Sequence, residues 1–151
     1  MNTDVLTVPP DMPLMKATRL LIDKGLSNAP VVDEVNGQKR LVGFLSEQDC
    51  LDFITNEIYY DTPDLHVSNL MRHQPVCLTA DTDILVAANY FIEHGYRHLP
   101  VVRNGMLLGI VSRHDILTAM YQHNNDYGYG HQEKFNRPDT SKLVNHRFVV
   151  G

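Results

Sequence analysis

The sequence predicts an α+β fold of two β-α-β-β-α repeats, each a small mixed sheet flanked by helices. Three observations point to it. NAPVV at 28–32 reappears as HLPVV at 98–102, and LVGFLSEQD at 41–49 reappears as LLGIVSRHD at 107–115. Between these blocks each half carries an Asn-Gly pair, Asn36-Gly37 and Asn104-Gly105, the strongest short hairpin signal. The first half is longer there by four residues, and the surplus falls in the polar stretch DEVNGQKR, a hairpin tip where added length is tolerated.

The elements follow in order. Each half opens on a short strand, Val5–Val8 and Val76–Leu78, and turns at Pro9-Pro10 or Asp81-Thr82. A helix comes next, with apolar residues at Leu14, Ala17 and Leu21 in the first half and at Ile84, Ala87, Ala88, Phe91 and Ile92 in the second, the spacing of an amphipathic helix. Gly25 and Gly95 stand where a helix C-cap is expected. Two strands joined by the Asn-Gly turn make a hairpin, from PVV to VGFL and from PVV to LGIV. The second strand ends at Ser46 or Ser112, and another helix begins, carrying Leu51, Ile54 and Ile58 or Ile116, Leu117 and Met120. Residues 1–60 are thus the first repeat, 61–70 a linker and lead-in, 71–123 the second repeat and 124–151 a tail. The tail lacks helical periodicity and reads as extended or mobile, with a short strand at Arg147–Val150, either as a loose end or as a strap over a neighbouring subunit or cleft.

Bulk properties narrow the function. Thirteen basic against 18 acidic residues give a net charge of −5, and no Lys or Arg lies between Leu41 and Met71, so nucleic-acid binding by a basic face is excluded. No secretory leader pattern opens the chain and no apolar run reaches the length of a membrane span, so a cytoplasmic protein without membrane insertion is expected. Cys50 and Cys77 form no CxxC and read as small reduced core residues. The eight histidines are scattered; His94 and His98 are four apart, but Gly95 ends the helix between them, so no metal site is expected.

GIVSRHDIL at 109–117 places a serine, a histidine and an aspartate within four positions. A triad is not the reading. A working triad needs the imidazole between nucleophile and carboxylate, whereas His114 adjoins Asp115 and follows Ser112 by two, spacings that do not face each other on a helix. The matching position in the first half is Gln48. Ser-x-x-Asp is what repeats.

Taken together, VSNLMRHQPVCLTAD (67–81), GYRHLPVVRNGMLLGIVSRHDIL (95–117) and their partners GLSNAPVVDEVNG and LVGFLSEQDCL resemble a tandem pair of cystathionine β-synthase (CBS) domains, a Bateman module, over residues 1–122. The resemblance implies two repeats related by a pseudo-twofold axis. It also implies a regulatory module rather than an enzyme, with no catalytic cofactor. Its ligand would be AMP, ADP, ATP, S-adenosylmethionine or NADH, held in clefts between the repeats. The family's habit of pairing through its helices implies a homodimer, and its role implies a target enzyme or transporter.

The chemistry of the motif stands beside that resemblance. Ser112 and Asp115, three apart at a strand-to-helix junction, can point to one side of the first helical turn, as can Ser46 and Asp49. An ionised Asp accepts two charge-assisted hydrogen bonds, which suits the vicinal hydroxyls of a ribose. Arg113 and His114 are then candidate phosphate neighbours, and a helix start offers N–H groups to an anion. Ser-x-x-Asp is equally a helix capping box, and on that reading the protein is a ligand-independent dimeric scaffold. Within the resemblance the adenine lies near Leu6–Val8 with Asn28, Ala29 and Pro30, and near Val76–Leu78 with His98, Leu99 and Pro100, chiefly through backbone groups. Charge separates the two halves: Arg97, His98, Arg103, Arg113 and His114 surround the second motif, and Ser27, Asn28, Glu47 and Asp52 the first.

Overall fold

The computed structural model describes residues 1–60 and 64–126. The elements are α1 (Leu14–Lys24), β1 (Asn28–Val35), β2 (Gln38–Ser46), α2 (Glu47–Tyr60), α3 (Val67–Leu70), β3 (Arg72–His73), β4 (Leu78–Thr79), α4 (Ile84–His94), β5 (His98–Arg103), β6 (Met106–Ser112) and α5 (Arg113–Asp126). They fall into two compact units. One holds residues 4–60, 64–75 and 104–107, and the other 1–3, 76–103 and 108–126.

The first unit is built on the β1–β2 hairpin. Asn36 and Gly37 both lie in the left-handed region, at φ 52° and 75°, the two-residue turn whose twist matches the flanking strands. Val31 faces Gly43 and Val32 faces Leu41, so Val42 is an extra residue that bulges β2. Val8 runs parallel to Val31, its N–H donating to the Pro30 carbonyl at 3.1 Å and its carbonyl accepting from Val32 at 3.0 Å. The strand expected over Val5–Val8 shrinks to this bridge, and Pro9 and Pro10 bring no N–H to carry a ladder beyond it. Helix α1 buries Leu14, Ala17, Thr18 and Leu21, and α2 buries Cys50 and Phe53, against Val8, Ala29, Val31 and Leu45 of the sheet. Burial pushes the Cys50 thiol up, as suits an inert core residue.

Residues 64–70, expected as linker and lead-in, and 71–75, expected to open the second repeat, pack on the first. Val67 and Met71 close its core, Leu65 accepts from the Leu14 N–H at 2.8 Å, and β3 pairs antiparallel with β2 through Gly43–His73 and Phe44–Arg72.

The second unit repeats the plan. Strand β4 lies parallel to β5, with Leu78 opposite Val101 and Thr79 opposite Val102, and β6 flanks the other edge of β5. The parallel strand begins at Leu78 rather than Val76. Leu78, Ala87, Tyr90, Phe91, Leu99, Val101 and Val111 form the core. Asp83 caps α4 by accepting the Leu85 N–H at 2.8 Å, and Gly95 ends that helix at φ 66°. Burial drives the Cys77 thiol up to about 11. Here too a lead-in joins the hairpin: Asn2 and Ile110 exchange both backbone hydrogen bonds at 2.9 Å, as Arg72 pairs with Phe44 in the first unit.

Three residues expected on buried helical faces point outward. Ile92 is 71% exposed, Leu51 64% and Leu117 66%. In each case a neighbour takes the inward position: Phe91, Cys50 and Ile116. The Ile58 side chain lies outside the described residues. Helix α5 runs through Asp126, past the start of the tail expected at Asn124, and the strand expected at Arg147–Val150 lies outside the described residues. No helix among the described residues is long and apolar enough to cross a membrane.

Candidate functional site

In each repeat a strand passes into a helix with no loop between them: β2 ends at Ser46 and α2 begins at Glu47, while β6 ends at Ser112 and α5 begins at Arg113. Such a junction leaves the first N–H groups of the helix in need of acceptors. Ser-x-x-Asp supplies them. The Ser46 N–H and hydroxyl donate to Asp49 Oδ2 at 2.9 and 2.6 Å, and the Asp49 N–H donates back to the Ser46 hydroxyl at 3.2 Å. In the second repeat the same three bonds measure 2.7, 2.9 and 3.1 Å between Ser112 and Asp115. Both motifs are therefore closed capping boxes.

The box uses one carboxylate oxygen, and Oδ1 stands outside it. Asp115 Oδ1 lies 4.0 Å from the amino group of Met1. The Ser112 N–H holds the Asp115 carboxyl below its ordinary value against the opposing effect of burial, with the Ser112 hydroxyl, the Met1 amine and His114 adding to it. Asp115 is thus an anion whose cap-side oxygen is fixed.

A further backbone bond sets the frame. The Glu47 N–H donates to the Ser27 carbonyl at 2.8 Å, and the Arg113 N–H to the Arg97 carbonyl at 3.1 Å. The first residue of each helix is so tied to the residue preceding the inner hairpin strand, which brings Asn28 or His98 near the capping carboxylate. Asn28 donates to the Ser27 hydroxyl at 3.1 Å. His98 is half-buried, and burial lowers its affinity for a proton; Asp115 opposes this, while Arg97 and Arg113 reinforce it. His98, Arg97, Arg113 and Asp115 therefore share one electrostatic neighbourhood. Arg113 and His114 are exposed on the first turn of α5.

The other expected site residues divide from these. Val8, Ala29, Pro30, Leu78, Leu99 and Pro100 are buried, each no more than 5% exposed, so their side chains belong to the core. The Pro30 carbonyl is already engaged by Val8. Arg97 and Ser27 enter the site through their carbonyls, a role that side-chain reading of the sequence gave no reason to assign. Ser112 Oγ bonds Asp115 directly, with no imidazole between them, which is not the arrangement of a charge-relay nucleophile. Among the described residues no three His, Cys, Asp or Glu side chains cluster as a metal site would require.

Comparison with known proteins identifies the family and the fold. The CBS domain model matches residues 1–56 and again 67–122. An uncharacterised 17.7 kDa protein of Acidianus ambivalens is 31% identical over 120 residues, 79% of this chain and 69% of that one. An A-adding tRNA nucleotidyltransferase of Aquifex aeolicus is 28% identical over 120 residues, 80% of this chain but 14% of the enzyme, a likeness too partial to carry over the whole enzyme's activity. Among solved structures, CBSX2 of Arabidopsis thaliana, crystallised in complex with AMP, superposes with a TM-score of 0.67 at 30% identity, covering 80% of this chain and 90% of that one. A duplicated hairpin and capped helix, matched twice by one family model, make this chain a member of the CBS domain family, carrying two copies of the domain.

Proposed function

We propose that the protein is a regulatory CBS pair that binds an adenosine-containing ligand (AMP, ADP, ATP, S-adenosylmethionine or NADH) and signals its presence to a target enzyme or transporter. One observation carries the reading: two equivalent helix starts each hold an aspartate rigidly by one oxygen while the other stands outside the cap. Such a carboxylate is preorganised to accept ribose hydroxyls. Asp49 and Asp115 take the ribose, and Ser46 and Ser112 position them. The backbone beside Val8 and Leu78, and at residues 28–30 and 98–100, lines the adenine. Arg113, His114 and His98 stand near a phosphate. CBSX2, which was crystallised with AMP, supports the ligand class.

The signal is a population shift: a ligand favours one conformation only by as much as it binds that conformation better. The signalling species is a homodimer. Ile22 and Ile92, on α1 and α4, are 72% and 71% exposed, and Leu51 and Leu117, on α2 and α5, 64% and 66%, so both repeats present apolar helical surface that a second copy covers. A thermal-shift series with adenosine, AMP, ATP and S-adenosylmethionine tests the reading, because a ligand at about 100 Kd stabilises the fold by about 2.7 kcal/mol. A concentration-dependent rise that is lost in the Asp49→Ala/Asp115→Ala double variant is expected. Unchanged melting across the panel favours the ligand-independent scaffold.

A further inference from the structure

We infer that the two repeats are specialised by ligand charge: the second receives an adenosine ligand through its phosphate, and the first an adenosyl group without one. The inference rests on the function proposed above and adds which repeat takes which chemistry.

The two helix starts share one backbone frame, down to the bond from the first helical N–H to the residue before the inner strand. On that frame the side chains differ in sign. Ser27, Asn28, Glu47 and Gln48 of the first repeat are replaced by Arg97, His98, Arg113 and His114 in the second. The second frame therefore holds two guanidinium groups and two imidazoles around Asp115, and the first holds Glu47 and Asp49 with no cation among these positions. Helix energetics sharpen the contrast. The positive end of a helix favours an acidic side chain in its first turn, as Glu47 provides in α2, and disfavours a cation. Arg113 occupies that disfavoured place in α5, two residues before Asp115. An anion seated beside Arg113 would offset that penalty by pairing with the guanidinium fork. Arginine's planar fork suits the oxygens of a phosphate, whereas Glu47 repels them.

Isothermal titration of the full chain with adenosine and AMP tests this. The Arg97→Gln/Arg113→Gln variant changes exposed side chains and keeps the backbone bond between the two residues. In the unaltered chain one site is expected to prefer AMP over adenosine by on the order of tenfold or more, with a preference that weakens as salt rises. In the double variant that ratio falls to about one, and Arg97→Lys/Arg113→Lys restores part of it. Asp115→Ala removes the AMP-preferring site and Asp49→Ala leaves it. An AMP preference that survives Arg97→Gln/Arg113→Gln, or one lost equally on Asp49→Ala and Asp115→Ala, overturns the specialisation alone. Adenosine binding without any AMP preference does the same. Failure of the unaltered chain to bind either ligand overturns the proposed function itself.

Discussion

Ser112 and Asp115 hold each other from both ends: the serine hydroxyl donates to Oδ2 at 2.9 Å and accepts the aspartate N–H at 3.1 Å. The serine N–H adds a third bond at 2.7 Å. The pair thus caps α5 and fixes the rotamer of the Asp115 carboxylate. The cap takes Oδ2 alone and leaves Oδ1 outside it, so capping by itself does not bar a ligand contact.

Removing the hydroxyl separates the two roles. Ser46→Ala and Ser112→Ala are each expected to lower stability by about 1 kcal/mol, the usual cost of a lost N-cap. Urea denaturation without ligand measures it. Asp115→Ala should cost at least as much, and the double change Ser112→Ala/Asp115→Ala less than the sum, because both single changes break the same bond. Additive losses would show that the pair does not act as a unit.

Gly109 and Gly43 mark where the lead-ins cross the hairpins. A Cβ on Gly109 would stand 2.5 Å from the Asn2 carbonyl oxygen and 3.1 Å from Met1 Cγ. On Gly43 it would meet the Met71 thioether and stand 3.2 Å from the Arg72 carbonyl oxygen. Gly109→Ala is expected to cost about 1–3 kcal/mol, the range for overpacking, by pushing Asn2 off Ile110. Deleting residues 1–3 should remove most of that cost. An equal cost in the shortened chain would place the strain elsewhere.

The proton affinity of His98 gives stability a pH dependence of known sign. Burial lowers its pKa from the ordinary 6.5, so the unfolded chain binds the proton more readily than the folded one. The stability it contributes is complete above 6.5 and is lost as the pH falls through the folded value. Arg97 and Arg113 deepen the effect and Asp115 moderates it. His98→Asn should flatten this part of the stability profile relative to the unaltered chain, read by denaturant melts between pH 7.5 and pH 5. Asp115 acts in a separate window: its lowered pKa contributes stability above the ordinary 3.8 that is lost as the pH falls through the folded value. A profile unchanged by His98→Asn would mean that His98 titrates alike folded and unfolded.

What could be read in the sequence was what neighbours in sequence decide. The Asn-Gly turns, the glycine helix ends and the Ser-x-x-Asp boxes all form within four residues, so composition and spacing specify them. The inward choice between Phe91 and Ile92, Cys50 and Leu51, or Ile116 and Leu117 was not legible. Adjacent apolar residues both fit a broad apolar arc, and packing alone selects one. The lead-ins were missed for a different reason. Asn2–Ile110 and Arg72–Phe44 are backbone pairings between distant segments, and their trace in the sequence is a missing side chain, at Gly109 and Gly43, inside an otherwise ordinary strand. At the site, Ser46, Asp49, Ser112 and Asp115 were legible as a motif, whereas Arg97 and Ser27 join it through carbonyl groups that every residue has.

The outward-facing leucines bear on assembly. Leu51 and Leu117 occupy equivalent places on α2 and α5, beyond the buried faces formed by Cys50, Phe53 and Ile116. Neither supports the core of its own unit, so replacing them should leave the folded protomer intact. Leu51→Lys/Leu117→Lys is expected to shift the protein from dimer to monomer in sedimentation equilibrium, with a change in protomer stability within about 0.5 kcal/mol, as for surface substitutions. Charge suffices because burying an unpaired ammonium at an apolar interface costs several kcal/mol. If the variant remains dimeric, the interface lies elsewhere; if it unfolds, the leucines support the fold in a way their exposure does not indicate.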